Sequence, residues 1–101
     1  MGIIETRPCA LCDVDLMAEL FDGKNIARFD CPSCGTYFVS VRAIEEFGRR
    51  PAIRAAAIAF VHANESETHV AEFTHVKVRV GPHNVPEWDV VQAVVPRTKY
   101  H

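Results

Sequence analysis

Apolar residues recur along this 101-residue chain with two different periods. Between residues 41 and 64 the period is helical. Val41, Ile44 and Phe47 fall on one face, with Arg42, Glu45, Glu46 and Arg49 elsewhere. Ser40 is a suitable N-cap and Gly48 a stop. Pro51 suits the first position of a second helix, Ala52 to Ala63, whose stripe is Ile53, Ala57, Phe60 and Val61. That helix is apolar almost all round, apart from Arg54 and His62, and is expected to be sandwiched between other elements.

Elsewhere the period is two. Val76, Val78 and Val80 alternate with His75, Lys77 and Arg79, which predicts a half-buried strand with a polar outer face. Gly81-Pro82-His83-Asn84 reads as a turn into a second strand, Trp88 to Val95, paired antiparallel with the first. His69 to Phe73 can add a short strand, and the tail from Pro96 is expected to fray. Nearer the start, Leu16–Phe21 and Ile26–Asp30 flank Asp22-Gly23, whose positive φ angles suit a tight hairpin. Thr36-Tyr37-Phe38-Val39 is β-branched and aromatic, and makes a third strand.

The cysteines change this picture. Cys9-Ala10-Leu11-Cys12 and Cys31-Pro32-Ser33-Cys34 form two C-x₂-C pairs separated by 18 residues, a zinc-site spacing. Two intervening residues let a turn aim both sulfurs at one ion, and the hairpin between the pairs brings the second turn back to complete a tetrahedron. Gly35 after the second pair permits a left-handed turn that points backbone N–H groups at sulfur. The first pair is followed by Asp13, which also tolerates that region.

Residues 9–40 thus resemble the zinc-ribbon superfamily, and from Phe29 to Ser40 the chain is similar to the N-terminal ribbons of small bacterial and phage proteins. The resemblance implies two knuckles on a three-stranded antiparallel sheet and one structural Zn²⁺ held by Cys9, Cys12, Cys31 and Cys34. Four cysteines leave no open coordination position, so the metal is expected to hold the fold rather than do chemistry. Iron in similar knuckles, as in a rubredoxin-like electron carrier, is the low alternative.

The expected architecture is therefore α+β. A ribbon occupies residues 1–40, and a unit of two helices and a C-terminal β-hairpin, residues 41–101, packs on it to make one compact domain.

Composition and charge narrow the function. Apolar residues make up 49% and charged residues 24%, the balance of an ordinary globular domain. No apolar run approaches the roughly 18 residues of a membrane span. The N-terminus lacks a secretory signal, so a soluble protein of the reducing cytoplasm is expected. Net charge is −2, and residues 1–40 carry three basic against six acidic residues, which disfavours the ribbon as a phosphate binder. Arg42, Arg49, Arg50 and Arg54 cluster around the turn between the helices and form the candidate nucleic-acid or partner contact. Glu45–Arg49 and Glu46–Arg50 are also ordinary i,i+4 pairs. The five histidines show no ligand spacing, and Glu65, Glu67 and Glu72 read as solvated charges. No catalytic constellation is visible. The expectation is a non-enzymatic module that binds another protein, as an adaptor or small inhibitor, with a nucleic-acid regulator as the alternative.

Overall fold

The computed structural model describes residues 3–80 and 86–100. Its elements run β1 (Ile3–Pro8), β2 (Asp15–Phe21), β3 (Ile26–Cys31), β4 (Gly35–Ser40), α1 (Val41–Arg49), α2 (Pro51–Asn64), β5 (His69–Val80) and β6 (Pro86–Pro96). The architecture is α+β, and all six strands join one sheet in sequence order. Neighbours are antiparallel except β4 and β5, which pair in parallel from Tyr37↔Ala71 to Val39↔Phe73. A parallel pair needs a crossover, and the two helices supply it.

Local chemistry sets the boundaries. Asp22, Gly23 and Lys24 all take positive φ between β2 and β3, where the Asp-Gly signal lies. Ser40 Oγ accepts the Ala43 N–H at 3.1 Å and starts α1, and Pro51 opens α2. Gly48 lies inside α1, which runs on to Arg49.

Several expectations need correction. The sheet around the cysteines does not stop at the three expected strands: β1 extends it on one side, and β5 on the other. The C-terminal hairpin does meet the helices, but not as a layer of its own: it continues the sheet in plane, with α1 over β4, β5 and β6 and α2 over β4 and β5. Finally, α2 is not sandwiched. Ala57 and Val61 are buried, whereas Ala52, Ala55, Ala56, Ala59 and Ala63 are exposed. Both helices belong to one crossover, and among the described residues nothing lies outside them.

The apolar faces shift accordingly. In α1 the buried residues are Ala43, Glu46 and Phe47, while Val41 is exposed. In β5 the burial falls on Val70, Ala71 and Phe73, and Val76 and Val78 are 44% and 56% exposed. The reason is length: β4 reaches only Phe73, so beyond it β5 has β6 as its only sheet neighbour. The turn read at Gly81-Pro82-His83-Asn84 lies outside the described residues.

One core, including Phe29, Tyr37, Phe47 and Phe73, lies on the helix side of the sheet. A smaller one, Phe21, Ile26, Phe38, Val70 and Val95, lies on the other side. The tail closes this second core instead of fraying. Arg97 donates its backbone N–H to Thr68 O and its Nε to Ser66 O, both at 2.9 Å. Tyr100 stacks on Phe21 at 5.7 Å and meets Phe38 edge-on at 4.9 Å. Lys99 and Tyr100 also engage the carboxylate of Glu72, which is buried on β5 rather than solvated. Burial and the Glu72 carboxylate push the Tyr100 hydroxyl above its ordinary pKa. Tyr100→Ala should therefore destabilise the protein by about 1–3 kcal/mol in urea unfolding, since it uncovers two aromatic rings and takes a donor from a buried carboxylate.

Candidate metal centre

The two C-x₂-C turns sit at matching places in the sheet. The first follows β1, and the second joins β3 to β4. In the first turn, Asp13 N donates to Cys9 O at 2.9 Å and Cys9 N to Val14 O at 2.8 Å. Asp13 has φ of 67° and Gly35 has φ of 97°, so each turn ends on a left-handed residue. Glycine is required at the second. A Cβ on Gly35 would collide with the Glu65 carboxylate and come within 3.0 Å of Val61 Cγ1.

These turns bring the Sγ atoms of Cys9, Cys12, Cys31 and Cys34 within 4.8 Å of one another. Cys12 Sγ and Cys31 Sγ are 3.5 Å apart. Four sulfurs bound tetrahedrally at about 2.3 Å would stand roughly 3.8 Å from each other. The cluster therefore has the size of a four-thiolate metal site, and all four cysteines are free thiols rather than disulfides. The donor set is complete without solvent.

The surroundings also fit a cation. Amides of Leu11 and Cys12 donate to Cys9, and those of Cys34 and Ser33 donate to Cys31. Burial pushes the Cys9 thiol up in pKa, with partial relief from Tyr37. Burial, followed by the neighbouring cysteines, pushes Cys34 up strongly. Burial would also raise Cys31, but its amide donors and the Cys12 and Cys9 thiols outweigh that and bring it below the ordinary value. Four anionic sulfurs this close repel one another, and a bound divalent ion offsets that cost.

Three residues around the centre were not legible as such. Tyr37, fully buried on β4, accepts the Ala10 N–H at 3.1 Å, and its hydroxyl lies 3.0 Å from Cys9 Sγ. A metal-bound Cys9 thiolate has no proton to give, so in the loaded site the hydroxyl would donate to sulfur while it accepts from Ala10. Arg54 of α2 donates Nε to Leu11 O at 3.0 Å and pairs with Asp13 at 2.9 Å. Glu65, just past α2, accepts the Thr36 N–H at 2.7 Å beside the second turn. Thus α2 is tied to the first cysteine turn near its start and to the second at its end.

The arginine cluster is largely spent in such ties. Arg42 pairs with Glu45 at 3.0 Å and lies 4.9 Å over the Trp88 ring. Arg50 reaches Glu46 at 3.3 Å, Trp88 O at 3.2 Å and Asp89 at 3.4 Å. Arg49, 69% exposed, has only a 3.8 Å approach to Glu46. Glu45 turns to Arg42, whereas the i,i+4 pair Glu46–Arg50 is present.

No protein-family profile matches this chain, and no curated protein and no solved structure is significantly similar to it.

Tyr37→Phe should keep the fold and weaken metal binding about 10- to 100-fold, because it removes a hydrogen bond to one sulfur ligand. Competition against a chromophoric chelator measures this. Unchanged affinity would deny the hydroxyl its role.

Proposed function

We propose that this protein is a non-enzymatic binding module whose fold is held by one structural Zn²⁺ and which acts by contact with another protein. The observation that carries the metal reading is the convergence of four sulfurs from two turns within 4.8 Å. Cys9, Cys12, Cys31 and Cys34 would hold the ion, whose contribution is charge neutralisation and cross-linking. Zinc suits a closed tetrahedral four-sulfur set without redox function.

A saturated donor set favours a structural over a catalytic role. Ser40 and His75 meet at 2.9 Å, but Ser40 is 2% exposed and its hydroxyl caps α1, which makes it a poor nucleophile. The contact surface we favour is the β1–β2 end of the sheet. Ile4 and Met17 stand exposed there on the face away from the helices, at 53% and 61%, within the acidic segment of residues 1–40. An apolar pair in an acidic field suits a partner with basic groups around an apolar spot. The pairing of Arg42, Arg50 and Arg54 with acids or backbone makes nucleic acid the weaker choice.

Purified, reduced protein should contain one zinc per chain, and stripping it with a chelator should unfold the cysteine end, since structural zinc contributes roughly 10–16 kcal/mol in isolated fingers. Used as bait in its native host, the zinc-loaded protein should capture one stoichiometric protein, and Met17→Lys should lose it. Retention on heparin that falls steeply with salt, with no protein captured, would reverse the choice of partner.

A further inference from the structure

The four cysteines are unequally protected. Cys9, Cys31 and Cys34 are buried at 0%, 4% and 3% exposure, whereas Cys12 is only half-buried. Of the four, Cys12 is the residue nearest to solvent. Its neighbours in sequence, Leu11 and Asp13, are the two residues that Arg54 of α2 holds. The least buried cysteine thus lies between the two attachment points of a helix.

We propose that the cysteine centre is a peroxide-sensitive latch on α2, in which oxidation of Cys12 and closure by Cys31 release the metal and undock the helix. This rests on the metal reading above. In the first step the Cys12 thiolate attacks one peroxide oxygen. The O–O bond breaks, hydroxide leaves, and the sulfur becomes a sulfenic acid. In the second, the Cys31 thiolate, 3.5 Å away, attacks that sulfur and expels a second hydroxide as the S–S bond forms. Two thiolates lose two electrons, and one peroxide takes them.

The mechanical consequence follows from the ties. Drawing two sulfurs from 3.5 Å to about 2.05 Å moves the Cys12 turn toward Cys31 and removes two of the four ligands. The Cys9–Cys12 turn then loses the ion that fixes it, and Arg54 loses a rigid partner. On the far side Glu65 loses a fixed second turn. Ala57 and Val61 are buried and Ile53, Ile58 and Phe60 rest partly buried on the same core, so loss of the ties frees the two ends of α2 first and leaves the helix on its apolar face alone.

The test treats the zinc-loaded protein with one equivalent of hydrogen peroxide and reads three quantities. A chromophoric chelator should report one zinc released per chain, and peptide mapping should find a Cys12–Cys31 disulfide. Hydrogen exchange should rise at least tenfold in residues 51–64 while the β5–β6 amides, away from the cysteine turns, stay protected. Arg54→Ala, which keeps every cysteine, should show that faster α2 exchange before any peroxide is added. Zinc release without a change in α2, a disulfide confined to the buried cysteines, or oxidation that stops at exposed Met17 would each overturn the latch. Protein that carries no metal before treatment would instead overturn the metal reading.

Discussion

Four sulfurs can share one small volume only if the chain is forced to bring them there and something offsets their mutual repulsion. That requirement organises the first half of this molecule. It explains two tight turns ending on left-handed residues, a hairpin that returns the chain between them, and a buried tyrosine hydroxyl set 3.0 Å from a sulfur. A chain of this size buries only about two-thirds of its unfolded surface. A metal ion held between the two turns would add a cross-link to the two modest apolar cores.

The same requirement reaches into the second half through α2. Arg54 and Glu65 attach the ends of that helix to the two cysteine turns, and Val61 packs where only glycine can stand opposite. The crossover that makes β5 parallel to β4 thus stays in register with the cysteine centre. On the opposite face of the sheet, which no described helix covers, the tail supplies a cover of its own with Tyr100 and Lys99. The helix face and the tail face are closed by different means, one built around sulfur and one around a buried carboxylate.

Much of this was legible from residue order because it depends on local chemistry. The cysteine spacing, the Asp-Gly turn, the Ser40 cap and the Pro51 start each act within a few residues, and all lie where the pattern placed them. What escaped depends on contacts distant in sequence. Nothing near Val76 or Val78 indicates that β4 ends too soon to give β5 a second neighbour there. The composition of α2 implies burial all round, but burial needs two covering layers and the sheet offers one. Arg54 and Glu65 resemble ordinary surface charges until the fold sets them beside Leu11 and Thr36, 43 and 29 residues away. Tyr37 reads as strand-forming aromatic, and only the fold brings its hydroxyl between Ala10 N and Cys9 Sγ.

The central claim is that a metal ion is held by all four cysteine sulfurs and by nothing else. X-ray absorption at the zinc edge of the purified, reduced protein tests it most directly, because it counts the atoms bound to the metal. The account predicts four sulfur neighbours at about 2.3 Å and no nitrogen or oxygen neighbour. Fewer than four sulfurs, a light-atom neighbour, or no zinc edge at all would contradict it.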